Sequence, residues 1–509
     1  MYKLCCWGVA ALLASVSCSA AMSLSEAVRL AVATNPKIDA AEANYRASEE
    51  VLRQSLGRLF PEVDLLGEYG KQRIDRPEGL GPDVNDVWRN NKSISAEFRQ
   101  VLFDGFDRAN DIYRSRARIS ASSERILARS EMVALNSIEA YIDVTRLTDL
   151  LKYARENVRR HEQLADRIRA SFSGGNAPIS DLQQAEERIQ AAKSLVSQVI
   201  ISLESAKAKY KNAIGVEAGN LLGVPYPNDL PHSSESAVLF AATHNPRIKA
   251  SLSDIEASQF EKKQFEGSLY PELAIEGAAI RGENIDGTPG RNNELRGMFV
   301  LSWKLFDGGI RSSRVRELNE RSMELQAEHD VLLRQVREEI EIAWARFTEG
   351  RIQVNAIRKQ LEQNTQLVKT YFDEYEAQKR DLLDVLDAES TRFRNRYELS
   401  NSESLRLFSA YELLANMGKL LTYFGLDGVE TFVEEPFIEE YVNEFGAKIR
   451  TTEEAKIRTA AETNVHTVEK TNVRTVEEAN VQPVEELAPI PLIRPVRDVV
   501  SRELAPLPQ

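Results

Sequence analysis

Two halves of this chain repeat one another, and that repeat constrains the fold more than any other feature of the sequence. Asn35-Pro36 returns as Asn245-Pro246, and Leu59-Phe60-Pro61-Glu62 returns as Leu269-Tyr270-Pro271-Glu272, both 210 residues later. Ala27-Val28 matches Ala237-Val238 at the same offset, and Leu102-Phe103-Asp104-Gly105 returns as Leu305-Phe306-Asp307-Gly308 after 203 residues. Order and spacing are both kept, which marks a duplicated structural unit. Whatever one half folds into, the chain holds twice.

Each half reads as helix, strand, strand, long helix, turn, long helix. A helix from about Pro36 to Leu59 stops at Pro61, because the residue before a proline is pushed out of the helical region. Ser93 to Leu102 alternates, with Ile94, Ala96, Phe98 and Leu102 on one side and Ser95, Glu97 and Arg99 on the other. Gly297 to Leu305 likewise puts Phe299, Leu301, Trp303 and Leu305 on one face. First strands are expected near Val63 to Tyr69 and Leu273 to Ile280, with polar hairpin loops at Arg76 to Asn91 and Gly282 to Asn293. After each second strand, Phe-Asp-Gly offers an Asp to cap the incoming helix and a Gly to relax the corner. No proline occurs from Gly105 to Ser173 or from Gly308 to Gln378, so these segments predict helices on the order of 100 Å long. Second helices are expected from Ile179 to Ile214 and from Arg380 to Tyr423. Ile126, Val133, Ile138, Ile142 and Leu150 form a stripe at mixed three and four spacing, the pattern of coiled-coil packing.

The ends differ in character from the middle. Lys3, the apolar run from Leu4 to Val16 and the small residues Cys18 to Ala21 predict a signal peptide. Cys18 offers a lipoprotein acceptor as the alternative reading, against which Ser15 stands where a Leu is expected. All three cysteines lie in this leader, so no disulfide or Cys-ligated metal is expected in the mature chain. Beyond Lys448, Thr463 to Lys470, Thr471 to Glu478 and Ala479 to Glu486 form an eight-residue repeat followed by a Pro-rich end, read as a disordered tail. A net charge of −13 argues against a nucleic-acid partner. The five histidines are scattered, and no phosphate-binding loop is present, so neither catalysis, a cofactor nor a metal is expected. Energy for any transport must come from a partner.

The alternating strands call for an oligomer. Four strands with one apolar face cannot close on themselves, and an open edge cannot survive in lipid, where every backbone donor and acceptor needs a partner. Two chains would give eight strands with a filled interior, whereas three would give twelve and leave a passage. Three is preferred. Phe299 and Trp303 are then expected to face lipid, with Glu97 and Arg99 facing the lumen. At the far end of the helices, Tyr375 to Glu389 packs a base and Asp381, Asp384 and Asp387 into one turn. That cluster reads either as a gate lined by carboxylates or as a solvated acidic face at a helix start.

With the duplicated Asn-Pro, the Phe-Pro and Tyr-Pro boundaries, both Phe-Asp-Gly corners and the turns ending in Ser180-Asp181 and Leu383-Asp384-Val-Leu-Asp387, the chain resembles the TolC family of outer-membrane channel-tunnels over roughly Ser23 to Leu426. The resemblance implies an α-helical coiled-coil barrel continued by a 12-stranded transmembrane β-barrel, four strands from each chain of a homotrimer. It also implies a periplasmic adaptor and an inner-membrane transporter of RND or ABC type as partners, serving drug efflux or type I secretion. By the same resemblance Tyr375, Arg380 and Asp181, with Ser180 beside them, latch neighbouring coils at the periplasmic tip, and Asp384 and Asp387 ring its aperture. Gly175 keeps the turn glycine of the first half, but Gln378 replaces it in the second. The expected organisation is a leader at 1–21, repeats at 22–214 and 234–424, a linker at 215–233, an equatorial segment at 425–448 and the tail at 449–509. A periplasmic adaptor would show one hairpin within β-rich flanks, and an envelope coiled-coil scaffold would lack alternating strands. Those are the two rival classes.

Overall fold

The computed structural model describes residues 21–74, 86–175, 177–285, 289–377 and 379–426. The chain divides into two units, Met1–Glu430 and Thr431–Gln509, and everything described belongs to the first. The expected signal peptide, Gln378, the repeat-bearing tail and nearly all of the 425–448 segment lie outside the described residues.

The first half runs α1 (Leu24–Thr34), α2 (Pro36–Gly57), β1 (Glu62–Arg73), β2 (Trp88–Phe103), α3 (Asp107–Ser173) and α4 (Ile179–Ile214). The second runs α5 (Ser234–His244), α6 (Pro246–Glu266), a 3-10 turn (Gly267–Leu269), β3 (Glu272–Glu283), β4 (Arg291–Ser302), α7 (Ile310–Glu376), α8 (Leu382–Met417) and the short α9 (Leu420–Tyr423). Helices α3 and α7 are both 67 residues long, and α4 and α8 are both 36. Duplication has preserved length where sequence has drifted.

The repeated Asn-Pro is a joint. Asn35 ends α1 and begins α2, its Oδ1 accepting from the Lys37 N–H at 3.0 Å while its Nδ2 donates to the Ala213 carbonyl at the end of α4 at 3.3 Å. Asn245 does the same between α5 and α6, accepting from Arg247 N–H at 2.8 Å and donating to Asn416 O at 2.7 Å. Proline follows at the first helical position, where its missing N–H costs nothing. Helices α1 and α5 were not anticipated from the sequence. Ser23 and Glu26 close a capping box at the start of α1, the Ser23 N–H donating to the Glu26 carboxylate at 2.8 Å.

Each Phe-Asp-Gly is a corner between sheet and long helix. Asp104 accepts from the Arg108 backbone N–H at 3.3 Å and from its guanidinium at 2.6 Å, and Asp307 repeats both bonds with Arg311 at 3.2 and 2.6 Å. Gly105 and Gly308 both turn the chain at positive φ, +68° and +70°. The corners are not equally crowded. A Cβ on Gly105 would strike the Gly267 carbonyl and come within 2.9 Å of Tyr270 Cβ, whereas at Gly308 it would meet open space.

The four strands form one antiparallel sheet in the order β1-β2-β3-β4. Register sorts its faces. Val63 lies opposite Phe98, Phe98 opposite Gly277, Ala279 opposite Leu295 and Ile275 opposite Phe299, all on one face. On the other face Asp64 lies opposite Glu97, and Arg99 opposite Glu276, with the Arg99 guanidinium 2.5 Å from Glu272 and 3.6 Å from Glu276. One correction concerns β4, which spans Arg291–Ser302 and not Gly297 to Leu305. Its polar start gives no alternation to read. Its end is cut short because the Lys304 carbonyl accepts from the Arg311 guanidinium, turning the chain into the corner.

The linker after Gly215 is strapped to the helices by buried tyrosines. The Tyr411 hydroxyl donates to Pro225 O at 2.7 Å, and the Tyr141 hydroxyl stands 2.7 Å from Met22 O and 2.9 Å from Leu222 O. Burial pushes both phenols above their ordinary pKa, so they stay protonated donors.

The two corners give an unequal pair of mutants. Gly308→Ala is expected to cost about 1 to 2 kcal/mol, the penalty of a left-handed L residue, and Gly105→Ala distinctly more because backbone must also move. Heat-induced loss of helical circular dichroism measures both; equal midpoints for the two variants would refute the steric account of Gly105.

Candidate functional site

The end of the long helices remote from the sheet is held by an apolar cluster shared between the two hairpins. Leu164, Ile168 and Ile189 from α3 and α4 pack with Leu382, Val385 and Leu386 from α8, and Tyr371, Phe372 and Tyr375 of α7 lie against them. Charged residues fringe this cluster.

The three aspartates play different parts. Asp381 is the N-cap of α8, its side chain accepting from the Leu383 N–H at 3.2 Å, so it does not share a helical face with the other two. The reason is local: an Asp at the boundary satisfies an orphan N–H better than it serves inside the helix. Asp384 is exposed and accepts from Arg380 Nη1 at 2.9 Å. Arg380 also donates to Glu374 at 2.6 Å and lies over the Tyr371 ring, 3.8 Å from its centroid. Asp387 is exposed and accepts from Arg188 Nη2, on α4, at 3.0 Å. The cluster is therefore not a bare row of repelling carboxylates. Within one chain, Ser180 donates to Asp181 at 3.2 Å, and the partners of Arg380 are Glu374 and Asp384. The structure thus brings Arg380 to Asp384, and does not bring Tyr375 or Arg380 into hydrogen bonding with Asp181.

Sequence reading missed the contacts that cross between hairpins. Arg188 to Asp387 is one, and Arg167 is another, donating to Glu376 at 3.2 Å with its guanidinium 4.5 Å from the Phe372 ring centroid. No spacing rule joins Arg188 to Asp387, because their partnership depends on how two separate hairpins are aligned. These pairs are largely exposed, with side-chain exposures of 37% and 62% for Arg188 and Asp387. Such pairs contribute about 0.2 to 1 kcal/mol and weaken with salt.

At the sheet, Phe299 lies 75% exposed on the apolar face. Trp303 stands one residue beyond β4, its indole N–H donating to Leu269 O at 3.1 Å, so it tethers the sheet to the end of the preceding helical segment. No His, Cys, Asp or Glu grouping suited to a metal is found among the described residues, and no described helix is long and apolar enough to cross a membrane.

One buried titratable group lies behind Arg188. His161 of α3 is 2% exposed, and its Nδ1 has no hydrogen-bond partner among the described residues. Burial first, and the Arg188 charge second, hold its pKa below the ordinary value. The folded imidazole thus stays neutral while the unfolded one takes up a proton. Its contribution to stability is complete above the unfolded pKa of about 6.5 and declines below it, at up to about 1.4 kcal/mol per pH unit. Glu389, whose pKa burial raises, acts with the opposite sign, so only a comparison isolates the histidine. Between pH 7.5 and 5, wild type is expected to lose unfolding midpoint faster than His161→Leu; parallel losses would show that His161 does not titrate in this way.

Comparisons with known proteins agree with this architecture. The model of the family described as "Outer membrane efflux protein" matches residues 27–216, which is the first repeat. The outer membrane efflux protein BepC of Brucella suis biovar 1 is 23% identical over 399 residues, 78% of this chain and 86% of BepC. TolC of Escherichia coli K12 is 22% identical over 426 residues, 79% of this chain and 84% of its own. Among solved structures, the Campylobacter jejuni CmeC outer membrane channel superposes with a TM-score of 0.70 at 14% identity, covering 78% of this chain and 86% of CmeC. VceC of Vibrio cholerae superposes at 0.67 and 15% identity, covering 79% and 96%. Duplicated hairpins and a sheet with one apolar face thus go with similarity to outer membrane efflux proteins over the first repeat and along most of the chain, and with the fold of solved outer membrane channels.

Proposed function

We propose that three copies of this chain pool their sheets into one twelve-stranded barrel and their hairpins into a helical tube, making an exit duct across the periplasm and outer membrane. The chain is an outer membrane efflux channel and not an enzyme. The observation that carries the finer reading is the sheet: one face apolar, one charged, and joined through two corners to helices of 67 residues. At 1.5 Å per residue such helices reach about 100 Å, which is a distance for spanning a compartment. The duct works with an inner-membrane transporter of RND or ABC type and a periplasmic adaptor seated near the helical tip. Efflux of toxic compounds is the reading supported by the family; type I protein secretion is the second, because the same duct serves either cargo. A deletion strain separates them: loss of dye and bile-salt resistance with an unchanged secreted-protein profile is expected for efflux, and the reverse for secretion.

At the tip, Asp384 and Asp387 ring the aperture, and Ser180, Asp181, Tyr375 and Arg380 latch adjacent coils. The latch is suited to opening, since half-exposed ion pairs lying on an apolar cluster are individually weak. Tyr375→Phe with Arg380→Ser is expected to raise single-channel conductance. Three copies of Asp384 and Asp387 favour cations and accept a multivalent one. The double variant Asp384→Ala with Asp387→Ala is therefore expected to lose cation selectivity and block by trivalent metal complexes from the tip side, with assembly intact. Planar-bilayer recordings in which that variant stays selective and blocked would place the aperture elsewhere. In the barrel, Phe299 and Trp303 face lipid or its boundary, and Phe299→Arg is expected to cost about 2 to 4 kcal/mol near the midplane, read as loss of assembled protein in the membrane.

A further inference from the structure

The apolar face of the sheet is not apolar throughout. Followed toward the hairpin turns it changes abruptly, to five cations against one anion, Glu283. On this face β1 ends with Lys71 and Arg73, β2 begins with Trp88 and carries Lys92, β3 ends with Arg281 before Glu283, and β4 begins with Arg291. All five cations are exposed. Register groups them: Lys71 lies opposite Asn90, Tyr69 opposite Lys92, Lys92 opposite Glu283, and Glu283 opposite Arg291. Asp86 pairs with Arg73, and among the described residues Lys71, Lys92, Arg281 and Arg291 make no ion pair.

From there toward the helices the same face carries no charge: Leu65, Ala96, Phe98, Leu295, Phe299 and their neighbours fill it down to Leu273 opposite Leu301. The eight residue steps from Arg281 to Leu273 cover about 26 Å along the strand at roughly 3.3 Å each, enough for the apolar band of a tilted outer-membrane barrel. The inward face at turn level has no such bias, with Glu68 and Glu294 beside Arg89 and Arg296. In a chain of net charge −13, a cationic outward rim is a segregated feature, not a sample of the composition.

On the proposed reading, in which the helices lead into the periplasm, the turn end of the sheet stands in the outer leaflet, and the cations stand at the depth of its headgroups. Tyr69 and Trp88 beside them are the aromatic residues expected at a membrane boundary. We propose that this rim binds the phosphate groups of the phosphorylated glycolipid of the outer leaflet, with acyl chains lying on the apolar band below. Guanidinium and ammonium groups at strand ends supply charge-assisted hydrogen bonds to phosphate oxygens, and the apolar band supplies the rest of the contact. Free phosphate lacks that second part, so the rim discriminates for the lipid.

Native mass spectrometry of the detergent-solubilised assembled protein with bisphosphorylated lipid A tests this. Wild type is expected to carry bound lipid A, and Lys71→Gln with Lys92→Gln, Arg281→Gln and Arg291→Gln is expected to reduce its binding at least tenfold. Removing the same sign of charge from the inward face, Arg89→Gln with Arg296→Gln, is expected to leave binding within twofold. Dephosphorylated lipid A and inorganic phosphate are each expected to bind at least tenfold more weakly. If the fourfold variant does not assemble, Lys92→Gln and Arg281→Gln singly are each expected to give a partial loss, and added salt is expected to weaken wild-type binding. Equal binding by the rim variants, by the dephosphorylated lipid or by inorganic phosphate, or equal loss in the inward-face variant, would overturn the proposal.

Discussion

An unsatisfied backbone edge is the constraint from which the rest of this structure follows. Strands β1 and β4 each pair on one side only, and in hydrocarbon an unpaired N–H or C=O costs several kcal/mol. A sheet with an apolar face and two open edges is unstable in water and in lipid alike until further strands complete it. The charged inward face adds a second demand. Glu97, Glu272, Glu276 and Arg99 need water or one another, so the closed object must be wide enough to hold solvent. Closure and a wet interior together make a pore out of a sheet that one chain cannot finish.

Rigid joints carry that sheet on the helices, while the remote end is built from weak contacts. At each corner an aspartate binds both the backbone and the guanidinium of the arginine four residues on, in a half-buried setting. At the tip the polar contacts are more exposed, and they cross between hairpins through Arg188 and Arg167. Ion pairs this exposed are individually weak, so less free energy holds any one of them than holds a corner.

The features legible in the sequence were those whose physics is local. Asn before Pro marks a helix joint, Phe-Asp-Gly marks a corner, and alternation in Ser93 to Leu102 marks a strand. The bounds of α4 were readable for the same reason, with Pro178 before it and Gly215 after it. Helix α1 was missed although Ser23 and Glu26 carry a capping-box signal, because eleven residues beside a presumed leader gave little periodicity to read. The polar start of β4 was missed because Arg291 to Arg296 has no hydrophobic rhythm; its pairing with β3 decides it. Arg188 with Asp387 depends on alignment between hairpins, which no single segment encodes. At the candidate site, residue types and the turn were legible, while the division of labour among Asp381, Asp384 and Asp387 was not.

Duplication also says what a neighbouring copy must provide. Within the chain, α3 packs against α2, α4, α6 and α8, while its equal-length counterpart α7 packs against α5, α6 and α8. Many more residues of α3 are buried as a result. If the two halves occupy equivalent places, the contacts α3 makes with α6 and α8 return as contacts between α7 and the α2 and α4 of another copy. The sheet obeys the same translation. Strand β2 pairs with β3 inside the chain, with Ala96 opposite Ala279 and Phe98 opposite Gly277. Shifted by the repeat offsets of 203 and 210 residues, those pairs become Phe299 opposite Tyr69 and Leu301 opposite Gly67 of the next copy. All four residues belong to the apolar face, so the translated register keeps both faces intact, which an offset of one residue would not. The internal seam between the halves is therefore the template for the seam between chains.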